Sequence, residues 1–509
     1  MDGLSSSNRS TGIDALFQYT GSGAQIFSGS IFYIIITHLF STSGVGAIAL
    51  FVAIVGLFSV FFQFGLSAAS QHFTSYKIGE GDYAAARLTI YKILGYALTL
   101  SLVAFASLII TAPEISLIFL HSSSFTFLVS LLGMVLFGNI MFSILNGILL
   151  GMQNFRISAL INVVIWMSYY FGAIILAIYF RSIHTIIFGW ALGILIGVAV
   201  ELLIVLISIN RFMGPGKAIP STFIFAYSIP ILLSGIISYG ASSSDRLIVS
   251  GMLNLSSLGV YNFSLLIAGS LAFVAVPFNN ILMPKFSEFY GRGKMDSISN
   301  IVRVSSTLLS LIYVPAALGI AALSPMVLNL LGGVNYVGGS LALDIIMFIT
   351  ALVISQNIFA QALAAVRMTK IFLYSSVVSL FSNVALSFIL IPKFGLAGAA
   401  IGFSSVYVSV FLTLYYFGKK NQLIAIDYHS LAKIWIASGI MYLAVNAAKI
   451  VFGQSELLIL FYIILGVLVY TFVARFLKIF AEDDKFLLLS IFPEGSSGLR
   501  KILSLFILH

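Results

Sequence analysis

The chain has 509 residues, of which 60% are hydrophobic and 8% charged, and its formal net charge is +9. A soluble domain carries about 25% charged residues, so this composition excludes a soluble enzyme, a nucleic-acid-binding module and a disordered chain, and it makes lipid the solvent for most of the sequence. The absence of cysteine excludes disulfides, thiol nucleophiles and cysteine-based metal sites.

The opening stretch, MDGLSSSNRSTG, holds a single cation, Arg9, and no compact apolar run, so no removable signal peptide is read there. A crossing needs about 20 mainly apolar residues. On that rule fourteen spanning helices are predicted, over 15–39, 44–69, 90–112, 124–148, 157–180, 184–209, 222–249, 256–282, 302–324, 341–365, 371–391, 396–417, 431–450 and 456–475. Span one lies beside Asp14 and carries Gln18 and Gln25.

Span six carries Glu201 roughly two turns from its inner end. That carboxylate suits a coupling ion or a proton, and it suits equally a structural pair or a tilt toward the interface; the structural reading is favoured. Span seven contains Pro230 and the polar stretch Ser238-Tyr239-Gly240-Ala241-Ser242-Ser243-Ser244-Asp245-Arg246. Ionisable residues inside the bilayer are costly and usually face a cavity or a partner. Arg246 offers five donors in a planar fork that fits phosphate, although an arginine near a span's end also reaches the headgroups without any site. Asp245 stands about 100° round the helix from it.

Pro277 and Pro315 are expected to kink spans eight and nine. In span ten, Asn357 and Gln361 are four residues apart and share a face that could line a cavity, whereas Gln356 points elsewhere and reads as packing. The tail after 475 is too interrupted to span and is expected to form interfacial segments, its Glu482-Asp483-Asp484 cluster being a solvated turn. The six histidines are dispersed, and no HExxH, GxxxxGK[ST] or GxSxG pattern occurs. No metal and no cofactor is expected.

With the N-terminus inside, 21 of the 25 lysines and arginines fall in inner segments and four, Arg181, Arg246, Lys393 and Lys449, fall outside. This asymmetry predicts cytoplasmic termini. Residues 40–76 and 253–289 also align without a gap at an offset of 213, which places Gly46 on Gly259, Gly56 on Gly269 and Phe73 on Phe286; Gly189 falls on Gly402 in the same register. Six spans separate the copies, so they are expected to be parallel repeats about an axis along the membrane normal, able to rock for alternating access. The register equivalents of Asp245 and Arg246 are Phe32 and Tyr33, so the charged pair belongs to one copy alone.

Three stretches carry a family resemblance. Asp245-Arg246-Leu247-Ile248-Val249-Ser250-Gly251 with Ser257-Leu258-Gly259-Val260-Tyr261, then Ile389-Leu390-Ile391-Pro392-Lys393-Phe394-Gly395-Leu396-Ala397-Gly398-Ala399-Ala400, and Leu149-Leu150-Gly151-Met152-Gln153-Asn154-Phe155 resemble segments of the Wzx-type polysaccharide flippases of the MOP (MATE-related) exporter superfamily. The resemblance runs over roughly residues 15–420 in order and spacing.

It implies an all-α polytopic membrane protein: fourteen transmembrane helices, with two parallel six-helix repeats forming a V-shaped bundle and two extra C-terminal helices. The lobes would be 1–210 and 211–420, followed by the extra helices over 421–475 and the interfacial tail over 476–509. It implies a plasma-membrane transporter that moves an isoprenoid-linked oligosaccharide from the inner to the outer leaflet and is not an enzyme. Arg246, Asp245, Gln25, Asn357 and Gln361 are then the substrate-binding candidates, and Glu201 is the candidate coupling residue for H+ or Na+. Expected partners are the lipid-linked glycan, membrane lipids and glycosyltransferases of the same pathway, with no nucleic acid. The alternative is a cation-coupled multidrug exporter of the drug-transporting branch, which commonly uses a carboxylate in the first helix; here that helix offers Gln18 and Gln25, with Asp14 only at its start. A membrane glycosyltransferase would need outer acidic residues, and the outer loops offer Glu114 and Glu456, with Asp344 at a span edge.

Overall fold

The computed structural model describes residues 21–479 apart from Ser22, Met213 and Pro215. Arg9, Asp14, Gln18 and all of the predicted tail from residue 480 onward, with Glu482-Asp483-Asp484, lie outside the described residues. Among those described, every regular element is helical. Thirteen helices are long and apolar enough to cross a membrane, and Gly23–Leu39 is a further, shorter apolar helix.

Contacts divide the chain into two compact units, Met1–Gly259 and Val260–His509. The first contains α1 (Gly23–Leu39), α2 (Thr42–Gln63), α3 (Leu66–Gly79), α4 (Tyr83–Leu120), α5 (Thr126–Gly151), α6 (Phe155–Phe180), α7 (Ile183–Ile209), α8 (Ser221–Met252) and the first turn of α9 (Leu255–Ser270). Short polar side chains start α2, α4 and α7 by taking up backbone N–H groups that lack an intrahelical partner. Ser41 Oγ accepts from Gly44 N at 3.3 Å and Asp82 Oδ1 from Ala85 N at 2.9 Å. The predicted break between spans five and six falls at Arg181, where φ is +47° and α6 ends, and Ser182 caps α7.

Predicted span two is not one helix. Phe64 and Gly65 both adopt positive φ, +53° and +68°, so α2 stops and α3 leaves on a new axis. Position 65 takes only glycine, because a Cβ there would lie 2.6 Å from the carbonyl oxygen of Ser228 on α8 in addition to the left-handed backbone. α4 overruns its predicted span at both ends. Its 38 residues reach about 57 Å, nearly twice the hydrocarbon thickness. The N-terminal part of α4 grips the segment that leads into α8: Lys92 Nζ donates to Ile219 O at 3.1 Å, Ile219 N to Thr89 Oγ1 at 3.1 Å, and Tyr96 OH to Ser221 Oγ at 2.6 Å.

The starts of α2 and α9 cross with almost no side chain between them. A Cβ on Gly46 would overlap the carbonyl of Leu255, and a Cβ on Gly259 would overlap the carbonyl of Thr42. Thr42 and Leu255 are 213 apart, as Gly46 and Gly259 are. The contact is therefore reciprocal in the register read from the sequence. A hydrogen bond of 2.6 Å between the hydroxyls of Thr42 and Ser256 closes it.

The second unit contains the rest of α9, α10 (Val276–Gly291), α11 (Met295–Ala322), α12 (Ser324–Gly332), α13 (Ser340–Leu352), α14 (Gln356–Ala365), α15 (Lys370–Phe394), α16 (Leu396–Lys420), α17 (Tyr428–Phe452) and α18 (Ile459–Phe476). Predicted span eight is broken as well. Residues 271–275 tighten into a 3-10 turn and α10 starts at Val276, which puts Pro277 in the first turn of a new helix instead of at a kink. Proline is tolerated there because its missing N–H would have had no intrahelical partner. Pro315, by contrast, lies inside the continuous helix α11. Span ten splits into α13 and α14 across Val353–Ser355, where the β-branched Val353 and Ile354 stand. The two C-terminal helices pack together, α17 lies against α11, and Tyr470 OH on α18 donates to Leu311 O on α11 at 2.8 Å.

Candidate functional site

α8 runs through Pro230 without interruption and buries one side of its polar stretch. Ala241, Ser243, Asp245 and Val249 are buried, Asp245 completely. Arg246 is half-buried. Its Nη1 reaches Ser243 Oγ at 3.5 Å, a long and weak hydrogen bond, and its Nε has no partner among the described residues. One turn before Ser243 on the same helix, Tyr239 OH donates to Ala53 O on α2 at 2.6 Å. Arg246, Ser243 and Tyr239 thus form a row of polar groups along α8 that ends at the backbone of α2.

Gly56 makes this contact possible. A Cβ at position 56 would run into the hydroxyl and ring of Tyr239, so the ring lies directly on the α2 backbone. Among the described residues the long contact to Ser243 is the one hydrogen bond that the Arg246 guanidinium makes. Tyr239 and Gly56 were missed by sequence reasoning: Gly56 carried only the repeat register, and nothing in the sequence ties it to a tyrosine 183 positions away.

Glu201 sits on α7 in the same unit. Gly193 and Gly197 precede it on one face and admit the backbone of Tyr169 and the side chain of Ile165 from α6 at distances where a Cβ would overlap. That close approach seals the next turn, and Glu201 is fully buried. Neither of its carboxylate oxygens has a hydrogen-bond partner among the described residues, so the structural pair favoured from the sequence is not found. A bare carboxylate at such a place costs several kcal/mol. It calls for a neutralising proton or cation.

The remaining candidates are spread out. Gln25 is half-buried on α1, a helix held to α6 and α7 through Phe32, whose ring centroid lies 5.4 Å from Tyr170 and 5.5 Å from Trp190. Among the described residues the Gln25 side chain makes no hydrogen bond. In the second unit Asn357 and Gln361 lie on the short helix α14, and Asn357 Nδ2 donates to Ile354 O at 3.2 Å. Gln356 is buried beside them, with its Oε1 lacking a partner among the described residues. Arg246, the missed Tyr239 and the buried Asp245 share α8; Gln25 and Glu201 stand apart from them on other helices. No group of three or more metal-ligating side chains occurs among the described residues. The second unit also holds an apolar cavity of about 430 Å³ between α11, α17 and α18, walled by Pro315, Met441, Tyr462 and Tyr470.

Comparison with known proteins gives the family and the fold. Residues 35–341 match the family described as polysaccharide biosynthesis protein. The chain is 23% identical over 453 residues to the probable low-salt glycan biosynthesis flippase Agl15 of Haloferax volcanii, covering 88% of this chain and 93% of that protein. It is 22% identical over 206 residues to the capsular polysaccharide biosynthesis protein CapF of Staphylococcus aureus, covering 39% of this chain and 50% of that one. Among solved structures, the lipid II flippase MurJ in an inward closed conformation superimposes with a TM-score of 0.73 at 17% identity, over 91% of this chain and 98% of MurJ. An inward-facing MATE multidrug resistance transporter of the MOP superfamily gives 0.63 at 16% identity, over 78% and 94%. These likenesses show a MurJ- and MATE-like fold.

Proposed function

The chain belongs to the polysaccharide biosynthesis protein family, and from that premise we propose that it flips an isoprenoid-linked oligosaccharide from the inner to the outer leaflet of the plasma membrane. The observation that carries the reading is Arg246: a half-buried guanidinium on a spanning helix, whose one hydrogen bond among the described residues is the long contact to Ser243. A pyrophosphate or sugar headgroup needs such a cationic, hydrogen-bonding foothold, while its lipid tail stays in the bilayer and requires none. The printed roles of Agl15 and MurJ as flippases support the same substrate class.

In this reading the protein performs no chemical step. Residues 1–210 and 211–420 act as two parallel lobes that alternate access, a duplication supported by the reciprocal contact of Gly46 and Gly259. The termini are cytoplasmic, as the distribution of cations favours. Asp245, Gln25, Asn357 and Gln361 contribute to the substrate path. Glu201 is the coupling residue, neutralised by H+ or Na+, and glycosyltransferases of the same pathway supply the substrate. The multidrug alternative draws support from the MATE-like fold and from Glu201, but a cationic foothold at Arg246 opposes cationic drugs.

The test compares wild type, Arg246→Ala and Arg246→Lys in liposomes loaded with a fluorescent polyprenyl-pyrophosphate disaccharide. Loss of the guanidinium removes charge-assisted hydrogen bonds worth about 1.5–3 kcal/mol, so Arg246→Ala is expected to slow flipping by roughly tenfold or more, with Arg246→Lys intermediate. Equal rates for all three would reject the role of Arg246.

A further inference from the structure

Away from Arg246, the first unit carries a second polar cavity. It is open, about 660 Å³ in volume, and is lined by α3 and the start of α8, with Gln71, His72, Ser75, Tyr76, Glu80 and Tyr227 on its walls. A volume of this size suits a small ligand or a piece of a larger one.

Its floor is aromatic. The His72 ring stacks on Tyr227 with centroids 4.6 Å apart and planes 7° apart, and Tyr76 lies 6.3 Å from His72 at 20°. The three nearly parallel rings therefore form one stacked platform, in which His72 and Tyr227 each cover one face of the other. Phe73 holds Tyr227 edge-on at 5.5 Å. The platform is not a buried core feature: Tyr76 is 52% and Tyr227 37% exposed, and His72 is exposed too. Its position follows from the backbone. The left-handed turn at Phe64–Gly65 ends α2 and delivers α3 to α8, where glycine at 65 admits the Ser228 carbonyl one residue beyond Tyr227.

The rim is polar and close to neutral. Lys77 Nζ is tied to Glu80 Oε2 at 2.7 Å and lies 5.5 Å from the centroid of the Tyr76 ring. With the cation and the carboxylate spent on each other, the cavity offers neither a phosphate site nor an anchor for a cationic drug. What it offers is the outer ring face of the stack, edged by the Gln71 amide and the His72 ring nitrogens. A pyranose matches that surface, with one C–H face on the rings and hydroxyls at their edges.

We propose that the His72–Tyr76–Tyr227 platform is a sugar-binding subsite that receives the glycan portion of the substrate on the inner side of the membrane. It rests on the flippase reading for its direction of use and stands apart from Arg246. Its place on the inner side follows from the proposed orientation, in which α2 ends and α8 begins there.

The experiment is saturation-transfer NMR on the full-length protein in phosphatidylcholine nanodiscs, with free glucose, N-acetylglucosamine and glucuronate as probes and adenosine and tetraphenylphosphonium as stacking and cationic controls. Wild type is expected to transfer magnetisation to sugar C–H protons. Tyr227→Ala and His72→Ala are expected to weaken the effect roughly fivefold or more, while Tyr227→Phe, which keeps the ring, retains it and reports a folded protein. No transfer to any sugar, transfer unchanged in both alanine variants, or transfer to the controls alone would overturn the proposal. A wild type that flips lipid-linked glycan yet shows no transfer overturns the platform alone. Transfer without flipping upholds the platform and rejects the flippase reading.

Discussion

Replacing Gly56 with alanine tests the contact of Tyr239 with α2. The added Cβ would occupy the space of the Tyr239 hydroxyl and ring, so Tyr239 must move and its 2.6 Å bond to Ala53 O must lengthen or break. Loss of that bond costs about 1 kcal/mol, and forcing a group into a packed contact adds about 1–3 kcal/mol. Gly56→Ala is therefore expected to destabilise the protein by about 2–4 kcal/mol. Tyr239→Phe removes the hydroxyl alone and is expected to cost about 1 kcal/mol. The hydroxyl is the atom a residue-56 Cβ meets first, so the double variant relieves part of the clash. Its loss should fall short of the sum by at least about 0.5 kcal/mol. Chemical unfolding of the purified protein in detergent, followed by tryptophan fluorescence, closes the cycle. Strict additivity, or a Gly56→Ala variant as stable as wild type, would refute the packing of Tyr239 on α2.

Two further outcomes follow from buried and capped acids. Glu201→Gln, an isostere of the neutralised acid, is expected to keep stability within about 1 kcal/mol of wild type, whereas Glu201→Lys places an unpaired charge in a sealed site and is expected to prevent stable folding; the two are compared by size-exclusion chromatography, and equal behaviour would contradict the burial of Glu201. At Asp427, which caps α17, burial pushes the carboxyl up, but the two hydrogen bonds from Ser430 and the charge of Arg303 at 3.7 Å outweigh it and hold the group below the usual carboxylate range. Its folded pKa lies below its unfolded one, so its contribution is present above the unfolded value of about 3.9 and is lost as pH falls through the folded one. Hydrogen-exchange protection factors at residues 428–432, taken relative to the intrinsic rate at each pH, should fall on acidification below about pH 4 in wild type and show a weaker pH step in Asp427→Asn.

Much of the fold was legible because lipid leaves so little choice. Spans rich in Leu, Ile, Phe and Val announce helices, and the breaks at Arg181 and Gly395 fall where the apolar runs pause. The breaks inside apolar runs were not legible. Phe64–Gly65, residues 271–275 and Val353–Ser355 interrupt sequences that read as continuous spans, because the turn is set by what packs alongside, such as the Ser228 carbonyl against Gly65. The same limit applies to the site. Arg246 stood out as a rare charge, but the seating of its helix depends on Tyr239 meeting Gly56 and Ala53, which only packing reveals. His72 was read as one of six scattered histidines; Tyr227, 155 residues away, turns it into part of a platform.

The most direct measurement is transbilayer movement in liposomes holding the purified wild-type protein and a fluorescent polyprenyl-pyrophosphate oligosaccharide. Quenching by an impermeant reagent reports how much label becomes accessible with time. The flippase reading predicts that accessibility passes from the outer-leaflet half toward completion in protein-containing vesicles and stays at about half in protein-free ones. Vesicles that leave the inner pool protected while expelling a cationic dye along an ion gradient would contradict it.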